Sequence, residues 1–203
     1  TGRSVQRSSG LHTLYISPLK ALAVDIARNL EKPIAEMQLP VKVETRTGDT
    51  PVSRRQRQRR YPPDVLLTTP EQLALLLASA DGPFMFKSLQ RIVLDELHAL
   101  VTSKRGDLLS LGLARLFRMA PQITSIGLSA TVAEPDSLAR FLVPQPLDGT
   151  ASADLVVASG GAAPIVEMLD TQERLPWAGH TARHALGEMY DLIRRNKTTL
   201  IFV

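Results

Sequence analysis

Four short apolar runs, each stopping abruptly at small or charged polar residues, set the limits on what this chain can fold into. They are Leu14-Tyr15-Ile16 before Ser17-Pro18, Val65-Leu66-Leu67 before Thr68-Thr69-Pro70-Glu71, Ile92-Val93-Leu94 before Asp95-Glu96, and Ile126-Gly127-Leu128 before Ser129-Ala130-Thr131. Short, continuously apolar strands are what a parallel sheet covered on both faces requires. Residues 41–45 alternate instead, the pattern of a fifth strand lying nearer an edge.

Helical patterns separate these strands. Leu19, Leu22, Ala23, Ile26, Ala27 and Leu30 repeat on one face within residues 18–37, and Pro51 after Thr50 marks a second start at a first helical position. Residues 71–78 and 108–116 complete the alternation. The order β-α-β-α with right-handed crossovers gives an α/β fold with an open parallel sheet. Ligands of such sheets sit outside the carboxyl ends of the strands, and every polar cluster named above falls there.

With 203 residues and 44% hydrophobic content, the chain supports the core of one domain and part of another. The first is expected over residues 1–147. Pro144, Pro146, Asp148-Gly149-Thr150 and Ser159-Gly160-Gly161 crowd the passage that follows, which reads as a linker over 148–163. Residues 164–203 would then begin a second α/β domain, with strands at 165–169 and 198–203 around an amphipathic helix at 180–195.

Charge and cysteine content narrow the setting. A net charge of +4 suits a polyanionic partner. The absence of cysteine excludes disulfides and thiolate metal sites, and a cytoplasmic location is the simplest expectation. No apolar run is long enough to span a bilayer, so no membrane role is expected. Arg54, Arg55, Arg57, Arg59 and Arg60 form the densest charge run, read as a solvated helix face in preference to a nucleic-acid contact. His180 and His184 have the spacing of half a zinc site but lack further ligands, and Trp177 suits a domain interface better than a base stack.

Asp95-Glu96-Leu97-His98 carries the chemistry. Adjacent carboxylates at a strand end are what Mg-nucleotide hydrolysis needs, one to hold the ion and the next to orient water. Alone, the pair is no more than a common solvated turn. Its companion Ser129-Ala130-Thr131 also follows an apolar strand, at a spacing that brings it beside the carboxylates in a parallel sheet.

Ser17-Pro18-Leu19-Lys20-Ala21-Leu22, Thr47-Gly48-Asp49-Thr50, Thr69-Pro70-Glu71-Gln72-Leu73, Asp95-Glu96-Leu97-His98 and Ser129-Ala130-Thr131 resemble, in order and spacing, motifs of superfamily 2 DExH-box helicases. They correspond to motif Ia, the next strand-end element, and motifs Ib, II and III. Lys104-Arg105-Gly106 resembles the Lhr family, and within it residues 16–143 are most similar to the bacterial ligase-associated branch. The resemblance implies a RecA-like P-loop NTPase fold with ATP and Mg2+ as cofactors. Asp95 and Glu96 would hold Mg2+, Asp95 mainly through water, and Glu96 would position the attacking water. His98 would link the nucleotide site to the nucleic-acid track, while Ser129 and Thr131 couple motif II to the second domain. Ser17, Pro18, Lys20, Gly48, Thr69, Pro70 and Arg105 would lie along the backbone of a single-stranded or partly duplex DNA, RNA being disfavoured. Glu71 is an exception, because a carboxylate repels phosphate; capping its helix or orienting neighbours suits it better. A DNA-repair setting with repair proteins as partners rests on the resemblance alone.

One family element is missing. No G-x-x-x-x-G-K-[S/T] phosphate loop occurs in the 203 residues, so the expectation is a core fragment of a DNA helicase, inactive as an ATPase by itself. The alternatives are a catalytically inactive nucleic-acid-binding module of the same fold and a Rossmann-like small-molecule enzyme. The latter is disfavoured because no dinucleotide glycine fingerprint is present.

Overall fold

A computed structural model describes residues 10–130, 134–158, 165–169 and 182–202. The chain divides into two compact units, Thr1–Val157 and Ala158–Val203. The first unit is built on five parallel strands: β1 (Thr13–Ile16), β2 (Val43–Arg46), β3 (Val65–Thr68), β4 (Arg91–Leu94) and β5 (Thr124–Gly127). Their order is β2-β3-β1-β4-β5. The α/β reading holds, β1, β3 and β4 stand where the apolar runs put them, and β2 lies at an edge as its alternation implied but runs from Val43 to Arg46 instead of over 41–45.

The strand in the middle explains the shape of the core. Leu14 and Ile16 of β1 point to one face, where they join Leu66, Ile92 and Leu94 in the main hydrophobic core. Tyr15 points to the other, against Ala23, Ala27 and Leu67. Burial on both faces is why β1 reads as an unbroken apolar run. Strand β5 departs from expectation: it ends at Gly127, one residue before Leu128, and its residues are exposed or half-buried. It forms the second edge, and in Thr-Ser-Ile-Gly only Ile126 carries a large apolar side chain.

Helix α1 (Lys20–Glu36) covers the thin face with Ala23 and Ala27, whose small side chains let the helix approach the sheet closely. The thick face holds α3 (Pro70–Ala78), α4 (Gly82–Phe86), α5 (Leu97–Val101), α6 (Lys104–Met119) and α7 (Pro135–Phe141). Leu73, Leu76 and Leu77 of α3 and Leu109, Leu113 and Leu116 of α6 supply much of that core. The short helices α4, α5 and α7 carry too few turns to show a period in the sequence. Gly106 has a specific reason to be glycine: a Cβ there would lie 2.5 Å from the Val101 carbonyl oxygen and 2.7 Å from that of Leu100. Only a residue without a side chain lets α6 begin directly behind α5.

Helix α2 (Val52–Arg60) is almost devoid of apolar residues, and Pro51 precedes it in extended conformation instead of opening it. What attaches α2 to the sheet is charge. The Glu44 carboxylate of β2, with 3% of its side chain exposed, receives Lys42 Nζ at 3.0 Å, Arg57 Nη2 at 2.8 Å and Arg54 Nε at 3.5 Å. Gln58 Nε2 donates to Oε2, the oxygen that Arg54 also meets, at 2.8 Å. Arg55 donates from Nε to the Thr50 carbonyl at 2.7 Å, and Arg59 pairs with Asp81 at 3.6 Å. The arginine run lines a largely exposed helix, as expected, and Arg54, Arg55, Arg57 and Arg59 also make ion pairs or hydrogen bonds within the fold.

The second unit contains a 3-10 turn (Ala182–Ala185) followed by α8 (Leu186–Arg195). The strands expected at 165–169 and 198–203 do not form among the described residues. A strand needs a neighbour to complete its amide ladder, and among the described residues Ile165, Val166 and Met168 are exposed and pair with no strand. His180 and Trp177 lie outside the described residues. No helix among the described residues is long and apolar enough to cross a membrane.

Burial alone would raise the Glu44 carboxyl, but hydrogen bonds from Gln58, Lys42 and Arg57 and the Lys42 charge overcome it and hold the pKa at about 2, against an ordinary 4.5. A depressed pKa contributes stability above the unfolded value and loses it as pH falls. Wild-type stability is therefore expected to drop between pH 4.5 and about 2, and Glu44→Gln to be less stable at neutral pH with a flatter profile across that window. Urea denaturation at stepped pH checks this, and parallel profiles for the two proteins would contradict it.

Candidate active site at the carboxyl ends of the strands

The site starts with two backbone amides. The Asp95 N–H donates to the Ile16 carbonyl at 2.9 Å, carrying the β1–β4 ladder one residue past the strand. The Leu97 N–H donates to the Leu128 carbonyl at 2.9 Å, and the Leu128 N–H to Leu94 at 2.8 Å, so the end of β5 is stitched to the same turn. Gly127 allows this closeness, since a Cβ would stand 2.7 Å from a Leu97 methyl carbon.

Between the two stitches, Glu96 takes the left-handed conformation, φ 48° and ψ 48°. For a residue with a side chain this costs about 1 kcal/mol. Its N–H is satisfied by Asp95 Oδ1 at 3.0 Å, and its carbonyl accepts the Ala99 N–H at 2.8 Å to open α5. The sharp turn leaves both carboxylates at one strand end, half-buried and reachable from solvent.

His98, on the first turn of α5, bridges outward from the carboxylates. Its Nε2 lies 3.4 Å from Glu96 Oε2, and its Nδ1 lies 3.0 Å from Ser129 Oγ. A continuous polar chain thus runs from Glu96 through His98 to the end of β5. Thr131 lies outside the described residues. Tyr15 is a neighbour that sequence reasoning missed: it stands opposite Val93, so Asp95, two residues on, faces the same side. Burial first, and then the carboxylates of Asp95 and Glu96, push its hydroxyl above the ordinary tyrosine range. The signal was the period-2 pattern, legible only once the β1–β4 register is known.

The other candidate residues occupy the remaining strand ends. Lys20 Nζ meets Asp49 Oδ2 at 2.6 Å, both side chains being largely exposed, and Gly48 is exposed beside them. Ser17 and Pro18 are buried, and the Ser17 hydroxyl has no hydrogen-bond partner. Thr69 and Pro70 are also buried at the start of α3. Glu71 pairs with Arg105 across 34 residues of sequence. Partial burial raises the Glu71 carboxyl, and hydrogen bonds from Arg105, its own amide and Thr69 outweigh this to hold it below its ordinary value. Asp95, Glu96, His98 and Ser129 are thus brought together just past β4 and β5, while the proposed backbone contacts follow β1, β2 and β3, with Arg105 apart from them on α6.

The donor set fits a magnesium ion shared with a ligand better than a protein cage. Among the described residues no group of three or more His, Cys, Asp or Glu is placed to hold a metal. Two carboxylates completed by waters and phosphate oxygens are the usual environment of Mg2+.

The DEAD/DEAH box helicase family profile matches residues 3–138. The chain belongs to the DEAD/DEAH box helicase family. Among its relatives, the ATP-dependent helicase Lhr-Core protein 2 of Thermococcus barophilus is 35% identical over 214 residues, which is 99% of this chain and 25% of that protein. The Lhr helicase/probable uracil glycosylase of Mycolicibacterium smegmatis is 46% identical over 146 residues, covering 66% of this chain and 10% of that protein. The structure of Mycobacterium smegmatis helicase Lhr bound to ssDNA and AMP-PNP superposes with a TM-score of 0.66 at 38% identity, over 81% of this chain and 23% of that one. The likeness to Lhr helicases and the RecA-like fold stand on these matches. This helicase-family chain spans a quarter or less of the length of these two curated relatives.

The left-handed turn makes a measurable demand on Glu96. Glycine adopts that conformation without a Cβ penalty, so Glu96→Gly is expected to be more stable than Glu96→Ala by about 1 kcal/mol, the reverse of the usual order. Chemical denaturation of the two variants checks this. Alanine as the more stable replacement would mean the turn is not left-handed.

Proposed function

We propose that this chain is part of the motor core of an ATP-dependent helicase that couples Mg-ATP hydrolysis to movement along single-stranded DNA. The observation that carries the reading is the polar chain from Glu96 through His98 to Ser129, because it joins a water-orienting carboxylate to the end of a neighbouring strand.

Asp95 and Glu96 would hold Mg2+, Asp95 mainly through water; when bound, the ion neutralises charge on the nucleotide phosphates. Glu96 accepts a hydrogen bond from the attacking water and orients it. His98 restrains Glu96, and Ser129 restrains His98. A shift of the β5 end would therefore be felt at Glu96, and a change at Glu96 would be felt at β5. Tyr15 closes the site on its sheet face.

Lys20, Gly48, Thr69, Pro70 and Arg105, with Ser17 and Pro18 beneath them, supply the nucleic-acid side. Cations, hydroxyls and amides at strand ends contact phosphates without reading bases, so binding is sequence-tolerant and salt-sensitive. The exposed Lys20–Asp49 pair contributes little by itself, and a phosphate can take the place of the carboxylate. The single-stranded DNA and AMP-PNP bound to the Lhr neighbour support DNA and ATP as the ligands. A cytoplasmic location, a DNA-repair setting and repair proteins as partners belong to the same reading.

Binding the β- and γ-phosphates takes a ring of backbone amides and a lysine, and the carboxylates of motif II supply neither. No G-x-x-x-x-G-K-[S/T] sequence occurs in these 203 residues, so turnover belongs to the longer parent protein and this stretch alone binds ATP poorly.

In the full-length parent, Glu96→Gln is expected to lower ATP turnover about a hundredfold or more while ATP binding persists. Wild-type-like ATPase activity in that variant would sink the reading and favour a non-catalytic module. Ser129→Ala should spare much of the ATPase and impair unwinding. An equal loss of both activities would reduce Ser129 to a structural role.

A further inference from the structure

Helices α3 and α6 begin side by side at the carboxyl edge of the sheet, joined by one ion pair. Arg105 donates from Nε to Glu71 Oε1 at 2.5 Å and from Nη2 to Oε2 at 3.1 Å, a bidentate contact that leaves Nη1 out of the pair. Each residue is the second of its helix. For Glu71 that placement suits the helix dipole; for Arg105 it opposes the dipole, since a cation at a helix start is disfavoured.

Stability is a weak reason for this pair. The side chains are 38% and 46% exposed, and ion pairs at such exposure contribute little. The surroundings nevertheless fix the arginine from its backbone outward. Gly106 seats the first turn of α6 against the Leu100 and Val101 carbonyls, and its N–H donates to Ser103 at 2.7 Å. An arginine at an unfavourable helix position, locked at its backbone by a glycine and at its guanidinium by a carboxylate, is placed for something other than folding.

We propose that Glu71 is the positioning residue for Arg105, holding the guanidinium so that its free Nη1 edge is presented to a backbone phosphate of the bound single strand. The inference rests on the reading of Arg105 as a backbone contact. Pre-ordering a long side chain removes rotamer entropy that binding would otherwise have to overcome. Charge counting predicts the opposite effect, because a carboxylate beside a phosphate track repels it and its removal should tighten binding. The two accounts differ in sign.

The test is fluorescence-anisotropy titration of the full-length parent protein with single-stranded oligonucleotides of unrelated sequence at several salt concentrations. Arg105→Ala is expected to weaken binding about tenfold, the size of one charge-assisted hydrogen bond, and to lower the salt slope by about 0.7. Glu71→Ala should weaken binding with a similar fall in slope despite the added positive charge, and Glu71→Gln, which keeps one acceptor, should recover part of the loss. The double variant should bind no more weakly than Arg105→Ala. A Glu71→Ala protein that binds as tightly as wild type or tighter, while Arg105→Ala is impaired, overturns the positioning role, as do losses that add in the double variant. An unimpaired Arg105→Ala overturns the underlying reading of Arg105. A purely structural role would leave the slope unchanged and show as a lowered melting temperature, which also overturns the proposal.

Discussion

The amide of Asp95 donating to the carbonyl of Ile16 is the bond on which the rest of the site depends. It extends the β4 ladder one residue beyond the strand and fixes the Asp95 carboxylate at the carboxyl edge, next to β1. The Leu97 amide then pins the next turn to β5, so Glu96 is suspended between two strands and adopts a conformation that an unconstrained glutamate avoids. The strain is local, and the sheet on both sides maintains it. A looser turn would let the carboxylates splay, and neither ion holding nor water orientation tolerates much displacement.

The strand order gives this turn its wider meaning. In the order β2-β3-β1-β4-β5, the residues proposed for phosphate contact follow β1, β2 and β3, except Arg105 on α6, and those proposed for hydrolysis follow β4 and β5. β1 belongs to both halves: its end leads into Lys20, its Ile16 carbonyl holds Asp95, and its Tyr15 faces the carboxylates. A packed sheet has little room for independent movement of adjacent strands. A displacement of β1 on one side is therefore a displacement of the carboxylate environment on the other.

How much of this was legible follows from the physics of each element. The runs at 14–16, 65–67 and 92–94 were readable because strands buried on both faces have no freedom in residue choice. The polar groups after them were readable because ligands of parallel sheets sit outside the carboxyl ends of the strands, although Ser17, Pro18, Thr69 and Pro70 turn out to be buried there. The strand-like runs at 165–169 and 198–203 misled, since β-branched composition reports suitability for a sheet and not the presence of a partner strand. The contacts Glu71–Arg105 and Glu44–Arg57 were out of reach for another reason: side chains 34 and 13 residues apart meet through tertiary packing, which has no period in the sequence. Tyr15 lay between, visible in pattern yet assignable to Asp95 only through the register.

The arginine run shows how a feature that looks like a binding surface can instead order a neighbouring loop. Glu44 alternates into a buried position on an edge strand, and an ionised carboxylate there requires partners. Lys42, Arg54, Arg57 and Gln58 provide them, which fixes the orientation of α2. With α2 fixed, Arg55 reaches back over the preceding loop and engages the carbonyls of Thr50 and Gly48. Thr47 and Thr50 close the same loop, the Thr47 N–H donating to Thr50 Oγ1 at 2.9 Å and the Thr50 N–H to the Thr47 carbonyl at 3.2 Å. Carbonyl oxygens facing a phosphate would repel it, and here an arginine occupies them. Asp49 is then held where it meets Lys20, so the lysine nearest the β1 end is positioned by a buried glutamate on a different strand. The basic run thus acts on the surface of the chain through the loop it rigidifies.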